Sequence, residues 1–121
     1  MRVLKVVGIF LSVLTLATVG LAGTNSMGVR DVSHVTFVAP MHVGTVVLPA
    51  GVYVVRHTME GSTHVMVFQR AESKEEFKVT CTLVPLSQKA QTDQTIYELN
   101  AANERVLQSL VFKGDSAKHV F

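Results

Sequence analysis

The sequence has few of the residues that usually reinforce a small domain. Tryptophan is absent, and cysteine occurs only once, as Cys81, among 121 residues. A single cysteine excludes an intramolecular disulfide and any zinc site built from paired cysteines. The fold must therefore be stabilised by its apolar core alone, which a domain of about 100 residues can bury.

Charge is also scarce, and the small positive excess belongs to the N-terminus. The chain has 11 basic and 9 acidic residues, and without Arg2 and Lys5 nine of each remain. A neutral domain without a stripe of lysine and arginine has no electrostatic basis for binding a phosphate backbone. We therefore expect no nucleic-acid partner.

The N-terminal residues have the pattern of a signal peptide. Arg2 and Lys5 precede an uncharged apolar run from Val6 to Ala22. The run ends in Gly20-Leu21-Ala22, which has small residues where a signal peptidase requires them. We predict a signal-peptide helix over residues 1–22 that is cleaved after Ala22.

This pattern divides the chain into a signal peptide (1–22), a flexible leader (23–30) and a single domain (31–121). It predicts a secreted or periplasmic protein that contacts the membrane only through the signal peptide, before cleavage. The alternative is an uncleaved anchor, because the run of 17 uncharged residues is at the lower limit for a membrane-spanning helix.

After Arg30, apolar and polar residues alternate and β-branched residues are frequent, which is typical of strands. No window of 11 residues has the spacing of an amphipathic helix. Turn-forming sequences such as Leu48-Pro49-Ala50-Gly51 separate the strands. The candidate strands are residues 32–39, 42–48, 52–58, 63–70, 76–84, 94–100, 104–113 and 117–121. We predict an all-β fold, a small antiparallel sandwich or barrel of about 7–8 strands.

Two hairpins can be aligned from their turns. A two-residue loop at Glu60-Gly61 pairs His57 with His64 on one face of the sheet. A loop at Ala101-Ala102 pairs Glu98 with Arg105, which have opposite charges. Between these hairpins, residues 85–93 are polar and lack alternation, so we predict a surface loop where a binding function is expected.

Histidine and methionine are the residues that suggest binding chemistry, since imidazole suits zinc and copper and thioether suits copper. His57 and His64 are the candidate metal ligands because the predicted hairpin places them face to face. A third ligand would come from Met59, Met66 or His42. The alternative is a structural pair of partly exposed histidines.

Catalytic motifs are absent from the sequence. Cys81 lies on an apolar strand face, which predicts a buried core residue. No histidine follows it before His119 and no methionine follows it at all, so the pattern of a blue-copper site is not met. The paired carboxylates Glu75-Glu76 point to opposite faces of any strand. We predict a protein that is not an enzyme and has no cofactor; a hydrolase with a Cys–His pair is a remote alternative.

The segment Leu48-Pro49-Ala50-Gly51-Val52-Tyr53 resembles the L-P-A-G-x-Y signature of a group of uncharacterised small secreted bacterial β proteins. Residues 81–86 and 111–115 are similar to that group as well. The resemblance implies export and a compact β domain, and it supplies no site residues.

These features predict an exported β domain that acts as a non-catalytic binding or structural module of the cell envelope or exterior. Its expected partner is a protein or another envelope component. The alternative function is transition-metal binding, of copper or zinc, through His57 and His64.

Overall fold

The structure is a computed structural model that describes residues 4–10 and 28–121. These residues form ten strands and no helix, which confirms the all-β prediction. Within this part of the chain, no helix has the length and apolar character needed to cross a membrane. The strands are β1 (Leu4–Phe10), β2 (Val32–Phe37), β3 (Met41–Val43), β4 (Val46–Leu48), β5 (Gly51–Glu60), β6 (Thr63–Arg70), β7 (Glu76–Pro85), β8 (Asp93–Leu99), β9 (Arg105–Val111) and β10 (Ala117–Val120).

The main sheet follows the order β1, β8, β9, β10, β7, β6, β5, β2. Strand β7 connects its two halves, because residues 76–81 pair with β6 and residues 82–85 pair with β10. Side chains from both halves meet in one shared core, as in a sandwich. The core side chains therefore come from strands that are far apart in the sequence.

The predicted strand over residues 42–48 is two short strands in the structure. Gly44 has a φ of 60° and allows the chain to turn between β3 and β4. The two strands then pair antiparallel to each other. Strand β3 also pairs parallel to β9, which is an exception to the predicted antiparallel arrangement.

The alternation of inward-facing and outward-facing residues along the strands explains which side chains form the core. Tyr53 and Val55 on β5 and Phe68 on β6 face inward and are almost fully buried. The ring of Phe37 on β2 lies 5.6 Å from that of Tyr53 and 6.3 Å from that of Phe68. Each such side chain contributes about 1.5–3 kcal/mol through burial.

The register predicted for the β5–β6 hairpin is wrong by two residues. Glu60 pairs with Thr63, so the loop is Gly61-Ser62. Gly61 has a φ of 66°, and a tight hairpin turn with glycine at its first loop position explains this placement. His57 is therefore opposite Met66. Because the slip is an even number of residues, every side chain stays on its predicted face.

The register predicted for the β8–β9 hairpin is wrong by one residue. Arg105 pairs with Leu99 rather than with Glu98. The Asn100 side chain accepts hydrogen bonds from the backbone N–H groups of Ala102 and Glu104, which lengthens the loop. The guanidinium of Arg105 lies 4.8 Å from the centre of the Tyr97 ring.

Residues 4–10, where the sequence favours a signal-peptide helix, form β1 and pair with β8 from Leu4↔Leu99 to Phe10↔Asp93. Valine and isoleucine in this stretch also favour strands. The other residues of the predicted signal peptide, 1–3 and 11–22, lie outside the described part of the chain.

Candidate metal centre

The two histidines singled out in the sequence are in contact. Nε2 of His57 lies 3.1 Å from Nδ1 of His64, and the ring centres are 5.1 Å apart. The contact is diagonal across β5 and β6, which is within the reach of aromatic side chains. His57 is buried and His64 is half-buried. The structure therefore joins the predicted pair in spite of the incorrect register.

Two further donors reach His57 from other strands. Cys81 on β7 is directly opposite His64, and the His119 ring on β10 lies 5.5 Å from the His57 ring. One ring nitrogen of each of His57 and His119 and the sulfur of Cys81 all lie within 4.8 Å of one another. All three residues are buried. We refer to them as the His57/Cys81/His119 cluster.

The three residues that the sequence suggests as a third ligand occupy different environments. Met66 is opposite His57 but is packed in the apolar core. Met59 is at the exposed end of β5. His42 is on β3, where its Nε2 lies 3.6 Å from a carboxylate oxygen of Glu104. Met59 and His42 are not buried, whereas Met66 places a buried thioether on the strand position opposite His57.

Two nitrogen atoms of the cluster have no hydrogen-bond partner in the structure. They are Nδ1 of His57 and Nδ1 of His119, and both are buried. A buried polar atom that lacks a partner usually costs about 1–3 kcal/mol and calls for an explanation. A bound metal ion would provide one, because a neutral imidazole coordinates through an unprotonated ring nitrogen.

Asp115 supports the cluster from behind His119. Its side chain is fully buried, and Oδ2 lies 3.9 Å from Nε2 of His119. Its other oxygen, Oδ1, accepts a hydrogen bond from the backbone N–H of Arg30. At 3.9 Å the two atoms are not hydrogen-bonded, and Oδ2 is itself a buried atom without a partner. A carboxylate this close still favours the tautomer with its proton on Nε2, which leaves Nδ1 of His119 free to bind an ion.

The predicted surface loop is tied to this carboxylate. Residues 86–92 connect β7 and β8 outside any strand. The Ala90 N–H donates to the Asp115 carbonyl, and the Gly114 N–H donates to the Ala90 carbonyl. The Leu86 N–H donates to the Ser116 carbonyl. The loop therefore holds the turn that positions Asp115.

The surroundings of His57 and Cys81 favour the neutral form of these two groups. Burial, followed by the neighbouring His119 and His64, lowers the pKa of His57. Burial raises the pKa of the Cys81 thiol to about 11. At neutral pH His57 is therefore an unprotonated ligand, whereas Cys81 must release a proton to bind a metal ion.

The donor separations are slightly too long for a bound ion. Zinc–nitrogen distances of about 2.0–2.1 Å and zinc–sulfur distances of about 2.3 Å place ligand atoms roughly 3.3–3.8 Å apart in a tetrahedral site. The donors of the cluster lie within 4.8 Å of one another. The donors must therefore move closer together for an ion to bind all three.

Sequence reasoning missed Cys81 and His119 as a pair because 37 residues separate them and only the β7–β10 pairing joins their strands. A weak signal existed, since His119 alternates with Ala117 and thus shares its inward face. Comparison with known proteins supplies no homologue from which a site could be transferred. No protein-family model matches the chain, and no curated protein or solved structure is significantly similar to it.

Proposed function

We propose that this protein is a non-catalytic binding module that holds one transition-metal ion, copper or zinc, inside its β-sandwich. The ligands are His57, Cys81 and His119. The observation that supports this function is the convergence of three buried donors from β5, β7 and β10. Two of these residues carry buried ring nitrogens that have no hydrogen-bond partner.

The donor set favours particular metals. Two imidazoles and a thiolate suit zinc and copper, whereas calcium and magnesium prefer oxygen ligands. The carboxylate of Asp115 lies beside His119 and that of Asp31 also acts on His57, but neither is one of the three donors. The bound ion is therefore expected to be zinc or copper rather than calcium or magnesium.

The burial of the cluster supports binding without catalysis. His119 is 1 % exposed and Cys81 is 8 % exposed, so a substrate has no access to an ion held between them. An open cleft beside Gly51, Arg70 and Glu72 lies at the other end of β6. A sequestered ion in this position would stabilise the fold or be carried as cargo.

Metal titration of the purified full-length chain tests this function. We expect one Zn(II) or Cu(I) ion per chain, measured anaerobically by competition with a coloured chelator. Cys81→Ser should weaken binding by at least about 100-fold, which exceeds the effect of residues that only support a ligand. Cobalt bound in place of zinc should show a thiolate charge-transfer band that Cys81→Ser lacks.

His34→Gln is the matched control, because His34 is an exposed histidine on the outer face of β2. It should bind metal like the wild type. Equal, weak binding by the wild type and by Cys81→Ser would contradict the proposed site.

Export is the second part of the proposal, and it is supported by the charged and apolar pattern of the first 22 residues. The partner would then be a protein or another component of the cell envelope or exterior. The intact mass of the protein released from cells should correspond to a chain that starts after Ala22. A full-length, membrane-retained product would contradict cleavage.

A further inference from the structure

Three sulfur and nitrogen donors lie in a row across one end of the sheet. Met59 on β5 is paired with His64 on β6, and His64 is paired with Cys81 on β7. Directly opposed residues in antiparallel strands project to the same face with Cβ atoms about 4.5–5.5 Å apart. The three side chains of this row therefore lie next to one another on the inner face of the sandwich.

Exposure decreases along this row. The Met59 side chain is 40 % exposed, His64 is half-buried, and Cys81 is buried. Met59 is also two residues from His57 on the same face of β5. Solvent and the buried cluster are thus joined by a continuous series of metal-binding side chains.

His64 makes the connection to the cluster. Its Nδ1 lies 3.1 Å from Nε2 of His57, so its ring touches a ligand of the proposed site. An ion held by Met59 and His64 would be within one ligand exchange of the buried donors.

The chemistry of Met59 distinguishes between the two candidate metals. A thioether is a soft ligand that binds Cu(I), whereas zinc prefers imidazole, thiolate and carboxylate. We infer, on the basis of the proposed metal site, that Cu(I) is the ion it holds and that Met59 and His64 form the path by which this ion enters. At the buried end, the S–H bond of Cys81 breaks as the sulfur–copper bond forms and the proton passes to water, while sulfur and copper keep their oxidation states.

Loading kinetics test this inference on the full-length chain. Cu(I) is presented anaerobically as a coloured chelator complex, and the loss of colour is followed by stopped flow. Zn(II) is presented in the same way. Met59→Leu keeps the size of the side chain and removes the sulfur, so the ratio of the Cu(I) to the Zn(II) loading rate should fall about tenfold, a change of about 1.4 kcal/mol in relative barrier.

His64→Gln should slow the loading of both ions, because imidazole serves either metal. His34→Gln, the exposed histidine of β2, is the control and should load both at wild-type rates. Circular dichroism of each variant checks that the β-sheet is retained.

The outcomes separate the path from the site. If the wild type binds neither ion, the proposed function fails and the path fails with it. If the wild type binds Cu(I) but Met59→Leu leaves the ratio of rates unchanged, the path is wrong and the site stands. If the wild type binds Zn(II) and not Cu(I), the assignment of Cu(I) is overturned while the metal site remains.

Discussion

The two ends of the core share strand β5 but differ in their other strands and in their chemistry. At one end, Phe37, Tyr53 and Phe68 pack ring against ring, and the Tyr53 hydroxyl donates a hydrogen bond to the Pro49 carbonyl. At the other end, His57 and His119 retain buried nitrogens without a partner. The rings of the aromatic end contact one another directly, whereas at the histidine end the proposed ion would supply the partners that the two nitrogens lack.

The comparison predicts that substitutions at the aromatic end change stability most. Phe68 is fully buried among other rings, so Phe68→Ala removes a large apolar surface and leaves a cavity. We expect a loss of about 3–5 kcal/mol in the free energy of unfolding, measured by chemical denaturation of the metal-free chain. A loss below about 1 kcal/mol would show that Phe68 is not central to the packing.

At the histidine end, a ligand should restore what the metal-free structure lacks. An ion that binds only the folded chain stabilises it by about 2.7 kcal/mol at a free concentration of 100 times Kd. We expect the midpoint of thermal unfolding to rise on addition of the ion and to return to its starting value when a chelator removes it. Cys81→Ser should show no such rise, and an equal rise in both proteins would place the ion elsewhere.

Local sequence patterns identify the aromatic end more completely than the histidine end. Alternation assigns the inward faces of β5 and β6, and this assignment survives the two-residue slip at Gly61-Ser62. His57 and His64 could therefore be paired from the sequence. Cys81 and His119 could not, because their proximity depends on β10 lying beside β7, and no turn between them specifies that pairing.

The β8–β9 hairpin shows the limit of local reasoning in another way. Opposite charges on Glu98 and Arg105 favoured a register that the structure does not have. Exposed ion pairs contribute only about 0–1 kcal/mol. The hydrogen bonds that the Asn100 side chain accepts in the loop satisfy two backbone N–H groups at once and fix the longer turn.

Substitution of Asp115 measures how strongly the metal affinity of the histidine end depends on the carboxylate beside His119. Asp115→Asn keeps an oxygen for the Arg30 N–H but removes the negative charge beside Nε2 of His119. Metal affinity should fall about 10–100-fold, as is typical when a carboxylate behind a histidine ligand is lost. Competition titration measures this fall, and chemical denaturation of the metal-free variant shows how much of it reflects altered folding. An unchanged affinity would mean that Asp115 does not orient His119.

The smallest expected effect is a pH dependence of the metal-free fold that originates at the histidine end. Burial, His119 and His64 lower the pKa of His57, while the carboxylates of Asp31 and Asp115 oppose the shift. The unfolded chain, in which this pKa is near 6.5, therefore binds a proton more readily than the folded chain. The contribution of His57 to stability is complete above that pH and is lost as the pH falls through it toward the lower pKa of the folded state.

This dependence can be assigned to one residue. The free energy of unfolding of the metal-free wild type should decrease between about pH 7 and pH 5, where an ordinary histidine begins to titrate. His57→Gln, which cannot titrate, should show a smaller decrease, whereas His34→Gln on the outer face of β2 should follow the wild type. Identical slopes for His57→Gln and the wild type would show that protonation of His57 does not limit the stability of this end of the core.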